Sequence, residues 1–110
     1  MTAITTHVLD LVTGRPAVGV PVVLERRDGT VWTPVDNALT DSDGRTPHLP
    51  GTAGHEHRLI FDVTAYQGRD AFFGQVTIAF RASAEDTSAE DHLHVPLLLS
   101  RYGYSTYRGS

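Results

Sequence analysis

The chain of 110 residues has neither cysteine nor lysine. Without cysteine there is no disulfide framework, no thiolate metal centre and no thiol nucleophile. Without lysine there is no Schiff-base chemistry. All nine cationic residues are arginines, fixed planar ions suited to carboxylates, carbonyls and urea-like groups. No apolar run reaches membrane-spanning length, so no membrane partner is expected. The opening Met1-Thr2-Ala3-Ile4-Thr5-Thr6-His7 has neither the cationic start nor the apolar stretch of a targeting peptide. These absences point to a soluble cytoplasmic protein. The formal net charge of -4, with the arginines scattered, excludes the clustered basic surface that nucleic acid requires. Gly14, Gly19 and Gly29 stand too far apart for a phosphate-cradling loop. No cofactor is expected.

What is present is a succession of short β-branched segments between turn signals, at residues 4–11, 18–26, 31–35, 58–63, 72–81 and 93–100. Their spacing predicts an all-β sandwich in a single domain, residues 1–110. Asp28-Gly29 marks a hairpin, and Asp41-Ser42-Asp43-Gly44 marks a loop. Only residues 64–68 suit a helical turn, because no longer stretch carries the 3.6-residue period. Residues 82–91, polar and acidic, read as an exposed connection.

Strand alternation then sorts the side chains. Leu93, Val95, Leu97 and Leu99 fall on one face, predicted to be core, and His92, His94, Pro96, Leu98 and Ser100 on the other. In the first strand Ile4, Thr6 and Val8 oppose Thr5, His7 and Leu9. His7 and His94 therefore both lie on the face that leaves the core. Behind them the chain ends Tyr107-Arg108-Gly109-Ser110, an unusual concentration of polar chemistry for a terminus. Two alternatives compete. His92-Leu93-His94 and His55-Glu56-His57 each place two imidazoles at i and i+2, which zinc accepts, but no third ligand is identifiable, so no metal is expected. His55 and His57 read as solvated loop residues. A Ser-His-Asp hydrolase is disfavoured, since the chain has no Gly-x-Ser-x-Gly elbow and Ser110 lacks a strand-to-helix turn to expose it.

These residues carry a specific resemblance. Thr6-His7-Val8-Leu9-Asp10, Gly14-Arg15-Pro16-Ala17, Gly19-Val20-Pro21-Val22, Asp43-Gly44-Arg45, the stretch His94-Val95-Pro96-Leu97-Leu98-Leu99-Ser100 and the closing Tyr-Arg-Gly-Ser resemble the 5-hydroxyisourate hydrolases of the transthyretin-like family. The resemblance implies a transthyretin-like sandwich of two four-stranded antiparallel sheets with one short helix. It also implies a homotetramer, a dimer of dimers, with active sites in a channel. The implied activity is hydrolysis of 5-hydroxyisourate in urate breakdown to 2-oxo-4-hydroxy-4-carboxy-5-ureidoimidazoline. Carried over by position, His7, Arg45, His94 and Ser110 are the expected catalytic residues. His7, Arg45, Tyr107, Arg108 and Gly109 are the expected substrate contacts, and either imidazole can be the base. Arg101 stands where the family usually has Pro, and the segment between residues 66 and 76 is shortened. The alternative function is a non-enzymatic transthyretin-like carrier of a small aromatic molecule.

Overall fold

Apolar residues at every second position build strands here, and the strands stack their apolar faces into one core. The computed structural model describes residues 2–83 and 92–109. In chain order the elements are β1 (Thr2–Thr5), β2 (Val8–Asp10), β3 (Arg15–Pro16), β4 (Pro21–Asp28), β5 (Val31–Leu39), β6 (Leu49–Gly51), β7 (Glu56–Asp62), α1 (Val63–Gln67), β8 (Gln75–Arg81), β9 (His92–His94), β10 (Leu97–Leu99) and β11 (Tyr104–Thr106). One layer is the antiparallel sheet β5-β4-β7-β8; the other comprises the ladders β6-β1-β9 and β11-β10-β2-β3. Ile4, Val8, Leu93, Leu97 and Leu99 meet Val22, Leu24, Leu59, Phe61 and Val76 in a single buried cluster. Burying each such side chain contributes roughly 1.5–3 kcal/mol, so this cluster fixes which face of each strand remains outside.

The local signals fold as their chemistry dictates. Gly29, at φ 67°, opens the two-residue loop between β4 and β5, the positive φ that a tight hairpin needs. Asp62 caps α1 by accepting the Ala65 N–H at 3.0 Å. The five-residue helix stops at Gly68, whose N–H returns to the Thr64 carbonyl at 2.8 Å.

Several expectations are corrected. The sheets are mixed rather than purely antiparallel: β1 with β9 and β2 with β10 run parallel, pairing Thr5 with His94 and Val8 with Leu97. These segments come from opposite ends of the chain, so no hairpin sets their direction, and side-chain alternation is the same for either direction. Hydrogen bonding also divides the strands into three ladders rather than two four-stranded sheets. The break in the second layer falls at Thr6-His7 and Val95-Pro96, where Pro96 has no N–H to give. Val63 opens the helix instead of ending the strand, and residues 72–74 stay irregular before β8. Finally, His57 is not solvated: it is fully buried, donating from Nδ1 to the His55 carbonyl and accepting the Thr52 N–H at Nε2, both at 3.1 Å. β3, β6 and β11 carry too few residues for alternation to reveal them. Of the connection 82–91 expected to be exposed, Ala82 is instead buried in the core, and residues 84–91 lie outside the described residues.

Candidate active site

Three backbone features bring separate segments of chain onto one outer face. Across the parallel seam, Val95 N–H donates to the Thr5 carbonyl and Leu97 N–H to the His7 carbonyl, each at 2.9 Å. The Thr6 hydroxyl adds a bond to the Val95 carbonyl at 2.7 Å. His7 is thereby held one strand away from His94, with both side chains directed off the core.

Arg45 arrives from the Asp41-Ser42-Asp43-Gly44 loop and forms an isolated antiparallel bridge with His7. The Asp41 carboxylate clamps that loop by accepting the N–H groups of Arg45 at 3.0 Å and Asp43 at 2.9 Å. Those same bonds, the Arg45 one first, hold its pKa below the ordinary carboxylate value. Gly44, at φ 76°, packs so closely that a Cβ there would stand 2.5 Å from the Val8 carbonyl oxygen. Only glycine lets this loop lie against β2.

The tail closes the third side. Gly109 bridges His94, its N–H donating to the His94 carbonyl at 2.8 Å, and Tyr107 and Arg108 lie exposed beside it. Next to His94 is an apolar cavity of about 140 Å³ whose lining includes Ile78, Phe80, Tyr107 and Arg108. The His94 imidazole is half-buried, with Nδ1 2.9 Å from the Thr5 hydroxyl. Burial first, then the nearby Arg45 and His7, lower its pKa from the usual imidazole value. Both effects favour the neutral ring. Among the described residues, the side chains of His7, Arg45, Tyr107 and Arg108 have no hydrogen-bond or ion-pair partner. Unsatisfied donors and acceptors converging on one face are what a polar ligand with carbonyl and amide edges would satisfy.

The structure thus gathers His7, Arg45, His94 and Gly109, with Tyr107 and Arg108 at the margin; Ser110 lies outside the described residues. Among the described residues neither competing histidine pair gathers a third ligand. His57 has both ring nitrogens engaged in the interior, His55 faces Asp28 at 3.8 Å, and among the described residues no three His, Cys, Asp or Glu side chains cluster. Sequence reasoning missed two neighbours. Thr5 was legible as a residue on the His7 face but carried no signal of its own. His48 meets His92 edge to face at 4.7 Å between ring centroids, a contact that only the placement of β6 beside β1 creates.

A model of the HIUase/Transthyretin family matches residues 4–109. The chain is 44% identical over 110 residues to a 5-hydroxyisourate hydrolase of Salmonella dublin, covering 94% of this chain and 78% of that one. The solved 5-hydroxyisourate hydrolase of Klebsiella pneumoniae superposes with a TM-score of 0.81 at 34% identity, over the whole of both chains. Sea bream transthyretin, solved in complex with thyroxine, superposes at 0.85 with 27% identity, covering 96% of this chain and 93% of that one.

Proposed function

The chain belongs to the HIUase/Transthyretin family, and on that premise we propose that it is a 5-hydroxyisourate hydrolase of urate breakdown whose active site is the face formed by His7, Arg45, His94 and the tail. Backbone similarity alone does not choose between enzyme and carrier, because a hydrolase and a thyroxine-bound transthyretin superpose about equally well. The observation that carries the choice is the convergence of two imidazoles and a guanidinium, none of them paired off by an ion pair. A carrier of an apolar aromatic has no use for them.

The reaction is hydrolysis of a ring amide. His94, whose neutral form its surroundings favour, takes a proton from water as the water oxygen bonds to the ring carbonyl carbon; such general-base help is worth about 10² to 10⁴ in rate. The carbonyl oxygen becomes an oxyanion, which the Arg45 guanidinium stabilises through its fixed donors. The C–N bond then breaks, the imidazolium returns its proton to the leaving nitrogen, and the ring opens to a ureido group and a carboxylic acid, which releases its proton to solvent as the carboxylate. His7 contacts the substrate opposite the base. Tyr107 and Arg108 line its margin, and no metal or cofactor enters any step.

The active enzyme is a homotetramer, a dimer of dimers. Phe72, Phe73, Tyr102 and Tyr104 contact one another edge to face, and Phe72 and Tyr102 remain 67% and 74% exposed in the single chain. Contiguous exposed aromatics of this kind mark association surfaces. Adding the protein to freshly generated 5-hydroxyisourate and following its ultraviolet absorbance tests the function directly. Decay faster than the spontaneous reaction is expected; decay at the spontaneous rate, with the chain folded, would overturn the assignment.

A further inference from the structure

The His94 imidazole is gripped on two of its edges, by β1 and by the tail. On one edge Nδ1 meets the Thr5 hydroxyl at 2.9 Å. On the opposite edge Gly109 lies so near that an added Cβ would run into His94 Cδ2. The ring corner left over is Cε1–Nε2, and among the described residues Nε2 has no hydrogen-bond partner. A hydroxyl can accept as well as donate, so a ring protonated at Nδ1 can give that proton to Thr5 and keep Nε2 as its outward acceptor.

We propose that Thr5 is a positioning residue for the hydrolysis: its hydroxyl oxygen accepts the His94 Nδ1–H, which fixes the ring's orientation and its tautomer and leaves the Nε2 lone pair bare toward the substrate. The inference rests on the assignment of His94 as the base. A hydroxyl suits the task better than a carboxylate would. It orients the ring as firmly, but brings no negative charge to raise the imidazole pKa, and it can accept the same Nδ1–H whether the ring is neutral or cationic. Thr5 is available because β1 pairs with β9 in parallel register, which sets Thr5 directly beside His94. An antiparallel pairing in another register would place a different side chain there.

The test uses the full chain with Thr5→Val, which keeps the branched shape and removes the hydroxyl, and Thr5→Ser, which keeps the hydroxyl. Thr5→Val is expected to lower kcat by about tenfold to a hundredfold with KM within about threefold, since orientation rather than binding is lost. Thr5→Ser is expected to recover most of that rate. Independently of activity, ¹⁵N shifts of the His94 ring at pH about 8 should report a protonated Nδ1 and bare Nε2 in the native protein and the Thr5→Ser variant, and a mixture of tautomers in Thr5→Val. A native-like kcat in Thr5→Val, or a protonated Nε2 in the native protein, overturns the proposal. A native protein that leaves 5-hydroxyisourate untouched instead overturns the functional assignment, and the ring shifts still decide whether Thr5 holds His94.

Discussion

Gly109→Ala probes the tightest contact in the site. The added Cβ would stand 3.1 Å from His94 Cγ and 3.3 Å from His94 Cβ, and closer still to Cδ2. Restoring ordinary contact requires ring and tail to part by on the order of 1 Å. Thr5 blocks the ring from the far side, so either the imidazole tilts off its hydrogen bond or the tail withdraws with Tyr107 and Arg108. Both outcomes misplace reacting groups, and a displacement of about 1 Å costs about 10² in rate, equivalent to about 2.7 kcal/mol of transition-state stabilisation. Stability should suffer less. At worst the Gly109 N–H bond to His94 is lost, about 1 kcal/mol, or a fall of several degrees in Tm. The absorbance assay with thermal unfolding checks this pairing. Gly103→Ala is the control, because its Cβ would meet only the Ser100 hydroxyl at an ordinary 3.7 Å. Turnover by Gly109→Ala within threefold of native would refute the reasoning.

Arg45→Lys retains the charge and the backbone clamp on Asp41 but loses the planar fork; kcat/KM should fall by about 10² to 10³ with Tm nearly unchanged, and near-native turnover would remove Arg45 from the oxyanion role. Because the His94 pKa is lowered, kcat/KM should be flat above about pH 6.5 and decline at lower pH as the base protonates; a profile flat from about pH 5 to 8 would argue against an imidazole base. His57 supplies a second pH effect, on stability. Burial lowers its pKa in the folded chain, so below about pH 6.5 the unfolded chain binds the proton more readily and stability falls with pH until the folded pKa is reached. His57→Leu strands the Thr52 N–H and the His55 carbonyl and should cost about 2 to 5 kcal/mol at pH 8. Urea titrations should show its stability changing less than native between pH 8 and 5; an equal slope would relieve His57 of that role.

The outer face of the site was legible in the sequence because strand alternation is a local rule. Ile4, Thr6 and Val8 are buried while Thr5, His7 and Leu9 are half-buried, and Leu93, Val95, Leu97 and Leu99 are buried beside the half-exposed His94, although Pro96, expected on the outer face, is buried with them. Strand direction was not legible, since parity cannot distinguish parallel from antiparallel and no turn joins β1 to β9. The burial of His57 was hidden for a related reason. It alternates with Leu59 and Phe61 toward the core, but an imidazole is tolerated there only because Thr52 and the His55 carbonyl, placed by the loop before β7, satisfy both nitrogens. The clamp on His94 needed three segments at once, Thr5, His94 and Gly109, and no local pattern encodes such a meeting. The chemistry proposed for the trio His7, Arg45 and His94 rests on the family resemblance; the fold explains how residues so distant in sequence share a face.

A crystal structure with a non-hydrolysable purine analogue bound tests the central claim most directly. One analogue should lie within hydrogen-bond reach of the Arg45 guanidinium, His7 and His94 Nε2 together, with room for a single water between Nε2 and the carbonyl carbon. An analogue seated instead in the apolar cavity beside Ile78 and Phe80, out of reach of His7 and Arg45, would contradict the mechanism.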